Sequence, residues 1–128
     1  MPQRVFHGIL VDVSFIDRRY PLSFKIFAQK RSGDWDLIGI EVPREHIDSV
    51  VADIQAHMRT DEHFYNHLYD DEMVIVIFKQ RIFYVKSHAS SWTEVQKYSD
   101  ALGIPNEQLD FWPNRFQDEI HYFGRQNL

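Results

Sequence analysis

Cysteine is absent from all 128 residues. That excludes disulfide scaffolds, thiol nucleophiles, iron–sulfur clusters and thiolate zinc sites together. Glycine is scarce: the five residues, at 8, 33, 39, 103 and 124, are too scattered to form a phosphate-cradling loop. No Gly-x-Ser-x-Gly elbow and no His-Glu-x-x-His helix is present. No apolar run nears the roughly 18 residues that a membrane span needs. The opening Met-Pro-Gln-Arg-Val-Phe-His lacks a signal-peptide core, so the expected location is the cytoplasm, with no membrane partner.

A hydrophobic share of 44%, with 15% aromatic residues, is enough to build a core and argues against disorder. The length suits a single domain over residues 1–128, because half-length pieces bury too little surface. Charge is uneven. Residues 1–31 hold six Lys/Arg against two Asp, residues 32–72 two Arg against eleven Asp/Glu, and the remainder six of each sign. An overall charge of −5 repels a phosphate backbone, so nucleic acid is not an expected partner.

Periodicity predicts an α+β fold in the order β-β-β-α-β-β-α. Its sheet is mainly antiparallel and five-stranded, with two principal helices on one face and a packed aromatic C-terminal tail. Odd positions from Val5 to Phe15 are mostly apolar, the period of a half-buried strand. Leu22, Phe24, Ile26 and Ala28 mark a second strand, and Trp35 to Val42 a third. The expected register pairs Ala28 with Ile38 and Ile26 with Ile40, and sets Lys30 against Asp36 and Lys25 against Glu41. Pro43 is placed to open a helix whose inner face is Ile47, Val50, Val51, Ile54 and Met58.

Met73 to Phe78 is apolar on both faces and reads as a doubly covered strand, answered across a short turn by Arg81 to Lys86. Ser91 with Glu94 forms a capping-box pattern at the start of a second helix. Trp92, Val95, Tyr98 and Leu102 are its inner stripe, and Gly103 its left-handed cap. A short tail helix from Asn114 would put Phe116, Ile120 and Phe123 on one side. The second sheet face is too apolar to stay wet, so the tail or a second copy of the chain should cover it. A groove left between tail and sheet would be the functional arrangement.

Chemistry must come from the histidines. In the stretch 61–72, a helical centre would set His63 and His67 one turn apart, able to present two imidazoles to a divalent metal. Extending the hairpin register gathers His67, Tyr69, Asp71, Lys86 and His88 at one sheet end, with Asp71 opposite His88 as a general acid–base pair. His7, among apolar alternating neighbours, reads as a hydrogen-bonded core histidine, and Trp112 as a packing anchor. Two functions follow as expectations. The first is a small binding or self-associating domain, with a small-molecule ligand or a homo-oligomer as partner and no required cofactor. The alternative is a metal-assisted or general acid–base hydrolase using the His/Asp cluster.

Overall fold

A computed structural model of the chain describes residues 4–105 and 111–124. It is an α+β fold with one antiparallel sheet of six strands in the order β2-β3-β1-β4-β5-β6. The strands are β1 (Val5–Val11), β2 (Lys25–Ser32), β3 (Trp35–Pro43), β4 (Tyr65–Tyr69), β5 (Met73–Phe78) and β6 (Ile82–Lys86). Three helices, α1 (Ile47–His57), α2 (Thr93–Ala101) and α3 (Glu119–Phe123), complete the described residues.

The first strand is shorter than its alternation suggests. It ends at Val11, and Asp12–Ser14 turn as a 3-10 helix. Asp12 and Ser14, at the even positions of that alternation, are buried. The Asp12 carboxylate accepts from Arg18 and from the backbone of Asp36, and the Ser14 hydroxyl donates to the Val11 carbonyl. Polar residues thus enter the core margin because the Arg18 guanidinium and backbone groups satisfy them.

The second and third strands form a hairpin, and β1 lies beside β3 rather than β2. Lys25 opposes Glu41 and Ile26 opposes Ile40, as the pattern predicts. A β-bulge between Ile26 and Ala28 then shifts the register by one. Ala28 therefore faces Gly39 instead of Ile38, and Arg31 rather than Lys30 faces Asp36, with which it pairs at 3.0 Å. Two successive apolar residues, Phe27 and Ala28, are the cause: the bulge lets both join the core on one sheet face. A Cβ at Gly39 would lie 2.7 Å from the Phe27 ring and 3.0 Å from that of Phe123. Glycine there leaves room for both rings.

Pro43 ends β3 instead of opening the helix; a 3-10 turn over Arg44–His46 intervenes before α1. The expected inner stripe of Ile47, Val50, Val51, Ile54 and Met58 packs on the sheet with Phe6, Leu10, Ile38, Ile40, Leu68, Ile75 and Ile77. The hairpin pairing of Met73 with Lys86 through Ile77 with Ile82 matches the expected register.

The second helix differs at its start. Ser91 lies in a 3-10 turn, Trp92 is the N-cap, and no side chain caps the helix. The Ser91 hydroxyl instead donates to the His88 carbonyl at 2.8 Å and accepts from the Lys86 amide at 3.1 Å, tying the helix to β6. At the other end Gly103 adopts φ +81, the left-handed cap expected of it. Trp92, Val95, Tyr98 and Leu102 pack on the sheet face opposite α1. The two helices therefore lie on opposite faces, not on one.

The tail shares the α2 face. Phe111, Phe116, Tyr122 and Phe123 join Ile9, Tyr69, Val74 and Val76 there, so the tail covers the second sheet face. Ile120 does not take part and is 54% exposed. No helix of the described residues is long and apolar enough to cross a membrane.

Candidate functional site

The segment 61–72 is where sequence and structure part most. Its centre is β4, a strand held between β1 and β5, not a helix. Alternation explains this: Tyr65, His67 and Tyr69 face the tail, while Asn66 and Leu68 face the other way. The fold therefore gains a sixth strand, and the helical spacing proposed for a His63–His67 metal pair does not exist. Among the described residues, no group of three or more His, Asp or Glu comes together as a metal-holding set.

Three of the expected site residues hold the tail. His67, buried, donates from Nε2 to the Pro113 carbonyl at 2.8 Å; a carbonyl only accepts, so that nitrogen carries the proton. The Tyr69 hydroxyl donates to Glu119 Oε2 at 2.5 Å. Asp71, at φ 81 in the turn before β5, accepts the Phe116 amide at 2.7 Å. The Ser87 hydroxyl adds a bond of 3.2 Å to the Asn114 carbonyl.

Glu119 also meets His7. The imidazole lies between the rings of Phe27, 4.2 Å away, and Phe116, 4.4 Å away. Its Nδ1 contacts Glu119 Oε2 at 2.6 Å and its Nε2 contacts Glu41 Oε1 at 3.1 Å. Carboxylates only accept, so both contacts are hydrogen bonds when the ring is doubly protonated. Burial pushes the His7 pKa down, but Glu119 and then Glu41 outweigh it, and the net shift is upward from 6.5. Lys25, then His7, hold the Glu41 carboxyl below its ordinary range. Burial first, then the Glu119 charge, raise the Tyr69 hydroxyl. The core role read for His7 fits this geometry, with a carboxylate on each side of the ring.

The remaining expected residues, Lys86 and His88, stand apart at the open end of the β5–β6 hairpin. The register extends one step further, since the Ser87 amide donates to the Glu72 carbonyl at 3.0 Å. Asp71 and His88 nevertheless turn to different partners, Phe116 for one and Ser90, 2.8 Å from Nδ1, for the other. A cleft of about 720 Å³ surrounds this end, and Arg44, Lys86 and Arg115 in it face Asp70, Asp71 and Glu72. Its charge is balanced, and the buried Asp70 is committed to Arg44 and to the amides of Glu72 and Met73.

A different cavity, of about 330 Å³, lies between the sheet and the C-terminal segment. Ile9 and Val11 of β1 with Leu37 of β3 form an apolar part, and Ile104 closes it after α2. Trp35, Phe64 and Tyr65 contribute rings from the sheet side; Trp112 and Tyr122 contribute them from the tail. Trp35 meets Phe64 edge to face at 5.8 Å, and Trp112 meets Tyr122 likewise at 5.6 Å. The polar lining is Lys30, Ser32, His63 and His67. Here His63 and His67 both belong to the lining of one cavity.

Trp35, Lys30 and Tyr122 carry no expectation as site residues in the sequence. Lys30 reaches the cavity because the bulge in β2 releases it from Asp36, and its ammonium sits 4.3 Å from the centre of the Tyr122 ring. The adjacent apolar pair Phe27-Ala28 is the sequence signal of that bulge. Glu119 carries no expectation either, since nothing in the spacing of the tail ties it to His7, 112 positions away. No protein-family model, no curated protein and no solved structure matches this chain.

Proposed function

We propose that this chain is a small-molecule-binding domain whose site is the cavity between the sheet and the C-terminal segment. The observation that carries the reading is the cavity's make-up: an apolar part, aromatic rings from both the sheet side and the tail, and a few polar groups. Its volume of about 330 Å³ lies at the lower end of ligand pockets, roughly 300–1,000 Å³. The self-association expected from the sequence rested on an uncovered apolar face, and the tail now occupies that face. The hydrolase alternative rested on Asp71 facing His88, and these two bond elsewhere.

The three tryptophans provide a built-in test. Trp35 and Trp112 line the cavity, whereas Trp92 is buried and its indole N–H donates to the Lys86 carbonyl at 2.7 Å. In amide and indole correlation spectra, a mixture of small aromatic fragments should move the Trp35 and Trp112 indole signals and leave that of Trp92 in place. Responses confined to Lys86, His88 and their neighbours would assign binding to the hairpin cleft and overturn the proposal.

A further inference from the structure

Resting on that reading, we infer that the cavity takes a planar aromatic compound bearing an anionic group, with the ring between the two aromatic walls and the anion at Lys30. Charge is the first argument. The chain carries 19 Asp and Glu against 14 Lys and Arg, yet the described residues lining the cavity include a lysine and two histidines and no carboxylate. Shape is the second. The edge-to-face pairs Trp35–Phe64 and Trp112–Tyr122, one from the sheet side and one from the tail, line the same cavity and present flat π-surfaces, which favour a ring over a branched aliphatic body.

Lys30 supplies the third argument. The other cationic β2 residues of this hairpin are paired, Lys25 with Glu41 at 2.7 Å and Arg31 with Asp36 at 3.0 Å. Lys30 has no carboxylate partner among the described residues, and its ammonium is set on the Tyr122 ring at 4.3 Å. An ammonium so placed keeps N–H donors for an incoming anion while the ring fixes its position. Ser32, two residues on and on the same cavity edge, adds a hydroxyl donor. Donors prevail in this edge, so a carboxylate or phosphate gains more there than a cation or a neutral amide.

The test uses the full chain and four probes at one ionic strength: 2-naphthoate, 2-naphthamide, 2-naphthylmethylamine and cyclohexanecarboxylate, with dissociation constants read from the indole signals of Trp35 and Trp112. Naphthoate should bind most tightly. Lys30→Gln should weaken naphthoate by roughly three- to tenfold and leave naphthamide unchanged, and Lys30→Arg should retain the preference. Amide or amine binding as tightly as naphthoate would overturn the anion assignment while leaving the cavity as a binding site. Cyclohexanecarboxylate matching naphthoate would overturn the aromatic part. If none of the four moves either indole signal, both this inference and the proposed function fall.

Discussion

The two faces of the sheet are built on different plans. Among the described residues, the buried hydrophobic core on the α1 face has twelve, of which only Phe6 and Phe15 are aromatic. On the tail face the described core also has twelve residues, and six of them, Tyr69, Phe78, Phe83, Trp92, Phe111 and Phe123, are aromatic. Aliphatic side chains on a regular helix fill the pleats of a sheet closely. Flat rings fill space less evenly, and the tail is fixed there by hydrogen bonds with His67, Tyr69, Asp71 and Ser87. The cavity lies on this second face. The α1 face is aliphatic and packed by one helix, whereas the face that α2 shares with a hydrogen-bonded strap holds the cavity.

Three measurements sharpen or break this comparison. The largest effect belongs to the α1 face. Ile54→Ala deletes a side chain that is 0% exposed and should cost about 2–5 kcal/mol in urea unfolding, with an unchanged denaturant slope. A loss below about 1 kcal/mol would mean that this face is not the close-packed one.

Next comes the latch on the tail face. Glu119→Gln removes the carboxylate shared by His7 and Tyr69 and should cost about 1–3 kcal/mol near pH 6. The His7 pKa is raised in the fold, so its stabilisation is fully present below the free value of 6.5 and is lost as pH rises through the folded value. The Glu41 carboxyl is lowered, so its share is present above 4.5 and fades as pH falls. Wild-type stability should therefore peak between these limits, and Glu119→Gln should flatten the alkaline side of the curve. Equal slopes in both proteins would exclude His7 as the titrating latch.

The smallest effect is expected at the hairpin end. His88 is exposed and, among the described residues, its ring bonds to Ser90 alone, so His88→Ala should shift the midpoint of thermal unfolding by less than about 2 °C. It should also leave aromatic-ligand binding unchanged. A loss of binding with His88→Ala would move the site from the cavity to the cleft.

Much of the fold is legible in the residues. The stripe of α1, the register of β5 with β6 and the Gly103 cap each follow from local period or from a single residue's backbone freedom. The failures have local causes as well. Three polar or charged residues at each end of 61–72, Asp61 to His63 and Asp70 to Glu72, mask a five-residue strand, which has too few positions to establish a period. Ser91 and Glu94 have the spacing of a capping box, yet the β6 backbone claims the serine first. The candidate site was only partly legible. His63 and His67 belong to it, but as wall residues rather than as a helical pair, and Lys30, Trp35 and Tyr122 enter it through the bulge and the tail.

By itself, then, the sequence determines an α+β chain with an antiparallel sheet, no thiol chemistry and more apolar surface than one helix layer can cover. Those properties depend on composition and on neighbours a few positions apart. Only the tertiary structure decides that β1 sits between β3 and β4, that the tail covers the second face, and that Glu119 meets His7. The reason is range. Periodicity reports which face of an element is buried, whereas a cavity is the space left between elements whose separation along the chain carries no signal of their contact.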